Sequence, residues 1–330
     1  MENDLINTTV IPWNGQKITR PGVYSDIPLD TYHGDICDGP SISSSGLRLI
    51  ESRSLLHYFD QSYLNPDRAP PVQKTFFNLG KAVHHVCGGE VEFKKCFSVR
   101  PDKWDSWRTD AAKQWRALQY LDGKGVLEPD DMLIIKGVAD QLGAHPAVQA
   151  GIMNGLAEHS IFWKRTFMMP DGGRQTVWVK SRPDIIPLQA NMIVDLKTTT
   201  DASPVAVRRK IADLEYHMQL GLGHDGLKRV WGRVMEEHVL VFAETERPFA
   251  INVKPIDYVD VEYGMRQCER ALFKFAHAVY TGQWLGFDDD EMTAKLPQWY
   301  RERLAAQAEN GLLPTLPKDP DPEPEDTEAF

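Results

Sequence analysis

The chain has 330 residues, of which 42% are hydrophobic, and carries 47 acids against 37 lysines and arginines for a formal charge of −10. That composition provides a sizeable core. With no run of 18 apolar residues and an opening Met1-Glu2-Asn3-Asp4 unlike a signal peptide, it predicts a soluble, cytoplasmic protein with no membrane partner. Four scattered cysteines (Cys37, Cys87, Cys96, Cys268) without a Cys-x-x-Cys argue against disulfides, a zinc site or an iron–sulfur cluster.

The charge is unevenly placed. Residues 288–330 hold 12 acids and 4 bases, or −8, which leaves 35 acids and 33 bases, or −2, on residues 1–287. The body is near neutral and compatible with a basic groove, so net charge neither selects nor excludes DNA as a partner.

In chain order, residues 1–29 read as an irregular N-terminal arm rich in Pro, Gly, Asp and Asn. Ser43-Ser44-Ser45 offers an N-cap for an apolar helix running to Tyr58, and a Pro-rich loop follows from Asn65 to Pro71. A helix near Thr75–Cys87 carries Gly80 and Ala82, which permit close packing, and the neighbours His84 and His85, which face about 100° apart. On its own His84 reads as a core or surface histidine sooner than as a ligand; beside two acids it would make a metal ligand. Residues 98–127 interleave Trp104, Trp107 and Trp115 with Lys and Arg, a pattern that stacks on nucleotides or simply packs. A helix is expected over 129–150.

Strands then begin. Residues 158–167 alternate, Asp171-Gly172-Gly173 makes a turn, residues 176–187 return, and 191–198 completes a three-stranded antiparallel meander. Asp184 stands on the second strand, and Asp195 and Lys197 share one face of the third. Two carboxylates and an ammonium are costly to bury together, and a divalent cation compensates them; oxygen ligands suit Mg²⁺ or Mn²⁺. Lys197 would orient a water or stabilise charge on phosphoryl oxygens. Glu158, at the start of the first strand, is a further candidate carboxylate. A helix is expected from Ser203 to Val230, with Tyr216 and Gln219 on one face, able to steady a phosphate or a metal-bound water. Two strands (237–243, 249–254), a long amphipathic helix (Asp257–Tyr280) and an acidic, largely disordered tail over 288–330, with a short helix near Glu291–Ala308, complete the chain.

Taken in order, Ile42-Ser43-Ser44-Ser45-Gly46-Leu47, Leu79-Gly80-Lys81-Ala82-Val83-His84, Arg182-Pro183-Asp184, Asp195-Leu196-Lys197 and Tyr216-His217-Met218-Gln219 resemble the RecE-type nucleases (exonuclease VIII and its phage relatives) of the PD-(D/E)XK superfamily, RecB-like branch. The resemblance spans residues 30–287. It implies an α/β (α+β) restriction-endonuclease-like core, a mixed central sheet flanked by helices. It also implies His84, Asp184 and Asp195 as metal ligands, with Glu158 as a further carboxylate, Lys197 as the catalytic lysine, and Tyr216 and Gln219 as helpers. The implied activity is a Mg²⁺-dependent exodeoxyribonuclease that resects double-stranded DNA ends for recombination, as a homo-oligomer beside a single-strand annealing protein. Lys81 departs from the small hydroxyl residue common in relatives. The four cysteines lack the placement of the CRISPR-adaptation nucleases. Two other readings are a non-catalytic DNA-binding or recombination partner on the same fold, and an acidic tail that docks a partner.

Overall fold

A computed structural model of the protein describes residues 8–69, 80, 82–83, 90–287 and 295–313. In chain order the first strands are β1 (Val10–Pro12), β2 (Gly22–Ser25), β3 (Ser41–Ser43), β4 (Phe97–Val99), β5 (Gly125–Leu127) and β6 (Gly155–Ala157). They are followed by β7 (Ser160–Met168), β8 (Arg174–Ser181), β9 (Ile185–Pro187), β10 (Met192–Thr199), β11 (Glu237–Glu244) and β12 (Ile251–Pro255). Two five-stranded sheets result, ordered β1-β2-β7-β8-β3 and β12-β11-β10-β9-β6, with β4 and β5 paired apart. The fold is mixed α/β, as expected.

The second sheet is built around β10. Its apolar residues alternate in a way that lets both faces be covered: Ile193 joins one apolar cluster, Val194 and Leu196 the other. β10 pairs in parallel with β11 from Met192 opposite Glu237 to Thr199 opposite Glu244, which requires a crossover. Helices Pro204–Asp213 and Tyr216–Trp231 provide it. The second of these is buried from several sides and lies between the two sheets, packing Met218, Leu222 and Leu227 with Ile193 and Phe242 of one and Ile161 and Trp163 of the other. So close a fit demands small residues. A methyl on Gly226 would stand 2.7 Å from the Trp163 ring. On the opposite face of β10, Val194 and Leu196 pack with Ile135, Val138 and Leu142 of helix Pro129–Ala144, and with Ala82 and Val83.

Several local expectations differ from the structure. The meander is not one sheet: β7 and β8 form a hairpin in the first sheet, the chain leaves it at Arg182-Pro183-Asp184, and β9 joins β10 in the second. Pro183 disfavours the helical region for Arg182 and supplies no amide hydrogen, so neither ladder continues through it. Residues 8–29 are more regular than an irregular arm, because β1 and β2 extend the first sheet and bury Val23. The helix expected over 203–230 is broken by Glu215, whose backbone is left-handed at φ 52°. The helix expected from Ser43 to Tyr58 is likewise divided, into Ser44–Ser52 and Leu55–Gln61, where the Ser54 side chain accepts from the His57 amide and starts the second piece. The expected Thr75–Cys87 helix lies outside the described residues except for Gly80, Ala82 and Val83, which are helical.

The chain divides into two compact units, residues 1–287 and 288–330; in the second, the helix spans Gln298–Glu309. No described helix is long and apolar enough to cross a membrane.

Candidate active site

Alternation along β10 turns Asp195 and Lys197 toward helix Tyr216–Trp231, the side on which Ile193 packs. Asp195 is 1% exposed and Lys197 15%. A carboxylate so deeply buried needs partners, and Gln219 and Lys197 are among them. Gln219 Nε2 donates to Asp195 Oδ1 at 2.9 Å, and Lys197 Nζ forms an ion pair with Asp195 Oδ2. Lys197 Nζ also donates to Gln219 Oε1 at 3.1 Å, closing a three-membered polar ring. The Tyr216 ring lies beneath the ammonium, 4.7 Å from centroid to Nζ.

Asp184 enters from β9's leading end. Its Oδ2 accepts from the Leu196 amide at 2.6 Å, which fixes the carboxylate at the edge of β10. Its carbonyl accepts from the Glu158 amide at 3.0 Å. Burial opposes the charge on Lys197, but the carboxylates of Asp195 and Asp184 outweigh it and hold the ammonium above the usual lysine range. The two carboxylates thus favour a cation beside them.

The structure brings Asp184, Asp195, Lys197, Tyr216 and Gln219 together. Glu158 touches the group through its backbone, while its charge acts on Arg182 and Tyr32. His84 lies outside the described residues; Ala82 and Val83 just before it pack on the face of the sheet opposite Asp195, and Gly80 meets Thr198, a methyl there standing 3.3 Å from its hydroxyl. Among the described residues no three His, Cys, Asp or Glu side chains form a metal-binding group. Two carboxylates whose fields converge on one ammonium nevertheless fit a hard divalent ion of the Mg²⁺ kind, which is commonly held by one or two carboxylates and retains waters.

Sequence reasoning missed Arg48. Its Nη1 donates to the Leu214 carbonyl at 2.7 Å, immediately before the Glu215 break, and its guanidinium lies 5.8 Å from the Tyr216 ring centroid. Arg48 therefore anchors the turn from which Tyr216 and Gln219 project. It follows directly on the Ile42–Leu47 motif, the only signal that pointed there, since an arginine on a short amphipathic helix otherwise reads as a solvated residue.

A mixed sheet with an acid at the entry of one strand, Asp-x-Lys on the next and a glutamine-bearing helix across them defines a PD-(D/E)XK-type core. The sequence profile of the PDDEXK-like domain of unknown function (DUF3799) matches residues 60–284, and the chain belongs to that family. Among solved structures, a candidate exonuclease from Eubacterium rectale is similar over 84% of this chain and 98% of its own, with a TM-score of 0.50 and 10% identity, a likeness of fold. A phage related exonuclease from Haemophilus somnus 129PT matches over 53% of this chain and 85% of its own, with a TM-score of 0.25 and 14% identity. No curated protein matches the sequence.

Proposed function

We propose that the protein is a divalent-metal-dependent deoxyribonuclease, an exonuclease of the RecE type that resects linear double-stranded DNA for recombination. The observation that carries this reading is the closed Asp195–Gln219–Lys197 ring beside Asp184 on a PDDEXK-like sheet. Asp184 and Asp195 would hold the metal, with His84 and Glu158 as further proposed ligands. Bound there, Mg²⁺ or Mn²⁺ would supply charge neutralisation and a water acidified enough to attack phosphorus.

The protein's own groups perform the rest. Lys197 presents a fixed positive charge and N–H donors to the phosphoryl oxygens or the attacking water. Gln219 holds the Asp195 carboxylate in one rotation and keeps the Lys197 ammonium aimed, so little rearrangement is needed as charge develops. Tyr216 confines the lysine stem from below. An annealing protein as partner, a homo-oligomeric state and a cytoplasmic setting belong to the same proposal.

The test is degradation of end-labelled linear duplex DNA with Mg²⁺ and with EDTA, beside a covalently closed circle. Metal-dependent loss of the linear form alone is the expected result, and cutting of the circle would make the enzyme an endonuclease. Asp195→Asn and Lys197→Ala should abolish cleavage while leaving the far-ultraviolet circular dichroism unchanged. Full activity in either variant removes these residues from the mechanism.

A further inference from the structure

The connection between β4 and β5 is left unused by the nuclease reading. From Arg100 to Lys124 it holds six bases and four acids, in a chain of net charge −10. It is rooted in the site sheet, since Phe97 and Leu127 share the apolar cluster of Val194 and Leu196. Its surface gathers three indoles. Trp107 and Trp115 stack with centroids 6.1 Å apart and planes 16° from parallel, and Trp104 lies 6.0 Å from Trp115. Cations cover parts of this array: Lys103 Nζ is 4.5 Å from the Trp104 ring and the Arg116 guanidinium 4.9 Å from Trp107.

Packing accounts for Trp107 and Arg100. Trp107 Nε1 donates to Glu128 at 2.5 Å, and Arg100 Nε donates to the same carboxylate at 2.6 Å. It does not account for the others. Trp104 and Trp115 are only half-buried, and among the described residues their indole N–H groups meet no protein acceptor. Lys103, Arg108 and Arg116 likewise form no hydrogen bond there, although acids outnumber bases in the chain; the charge of Arg116 reaches Glu128 without a direct contact. Cations without hydrogen-bond partners, interleaved with half-open indoles, are what a nucleic acid satisfies: phosphates take the cations and bases stack on the rings. In a duplex the base faces are stacked on one another, so rings of this kind select an unstacked strand.

We propose that the Trp104–Trp115 surface binds single-stranded DNA, with bases against Trp104 and Trp115 and phosphates against Lys103, Arg108 and Arg116. The choice of DNA rests on the nuclease reading, because resection leaves a single strand. Leu118 and Leu121, 57% and 82% exposed on the same helix, make a second copy of this chain the competing occupant.

Fluorescence anisotropy of a labelled oligothymidylate, with the full chain in EDTA, reads binding without cleavage. The wild-type chain should bind the oligonucleotide more tightly than a duplex of equal length. Trp104→Ala should weaken binding by at least about fivefold. The pair Lys103→Ala/Arg116→Ala should weaken it and reduce the slope of log affinity against log salt by about 1–2. Trp104→Phe, which keeps a ring, should retain most of the affinity and carries the test if Trp104→Ala fails to fold. A Trp104→Ala or Lys103→Ala/Arg116→Ala variant that folds and binds like wild type overturns the proposal, as does a Trp104→Phe variant that folds yet binds as weakly as the alanine variants are expected to. Loss of self-association in sedimentation with unchanged oligonucleotide binding overturns it in favour of a second copy. A wild-type chain that cleaves no DNA yet binds the oligonucleotide through Trp104 refutes the nuclease reading and keeps this surface; cleavage with Trp104-independent binding does the reverse.

Discussion

Gln219 uses both ends of its amide, donating through Nε2 to Asp195 and accepting through Oε1 from Lys197. A glutamate there would lose the donor and set a further carboxylate against a buried one. Gln219→Ala should therefore lower kcat about 10–100-fold with folding intact, and Gln219→Glu should be worse than alanine at neutral pH, both read in the linear-duplex assay. Elsewhere, His224 and His238 form a buried pair that the mechanism does not use. Their rings stack with centroids 5.1 Å apart, Nδ1 of one lies 3.0 Å from Nε2 of the other, and Tyr258 packs against both, with Lys228 and Asp225 acting on His224. Burial, and for His238 also the neighbouring His224, push both below the ordinary histidine range, His238 to about 4. Both folded-state values are depressed below that of the unfolded chain. Their contribution is thus complete above about pH 6.5 and shrinks as pH falls toward 4, because the unfolded state binds protons that the folded state refuses. The pair should therefore cost stability between pH 7 and pH 5, seen as a lower urea midpoint. Leucine at both positions should flatten that slope.

At the scale of elements, helix Tyr216–Trp231 carries the arrangement, touching both sheets and helix Tyr258–Thr281 at once. The last contact depends on Gly264, where a methyl would stand 2.5 Å from the His217 carbonyl oxygen. That obstacle is backbone and has no rotamer by which to escape. Gly264→Ala should destabilise the protein by about 1–3 kcal/mol despite alanine's better helix propensity. Because the displaced turn contains Tyr216 and Gln219, activity should fall more than the loss of folded protein explains; a lowered Tm with unchanged specific activity would contradict this. The elements themselves were largely legible. β11, β12, helix Tyr258–Thr281 and the Asp171–Gly173 turn follow local periodicity and turn chemistry closely. The breaks at Arg53-Ser54 and at Glu215 were not legible, since neither has a proline or glycine to mark it. The second is held by Arg48, which lies 166 residues from Leu214 in the chain.

At the scale of the whole molecule, charge is segregated, with −8 of the −10 on residues 288–330. On the nuclease reading, an acidic segment tethered to the body repels the phosphates of its substrate, so removing residues 314–330 should raise affinity for duplex DNA at low salt. The gain should vanish near 0.5 M salt as screening removes it. An unchanged affinity at low salt would leave the segment without an electrostatic role. Asp195 and Lys197 on one strand face, a proline-marked aspartate before them and a helix bearing Tyr216 and Gln219 were determined by the sequence alone, because alternation and helical spacing are local geometry. Only the tertiary structure decided that the chain changes sheets at Pro183, that Asp184 seats on the Leu196 amide, and that Gln219 closes on both Asp195 and Lys197. Those contacts join residues distant in sequence, and their geometry follows from how two sheets and one glycine-rich helix share a core, which no local pattern encodes.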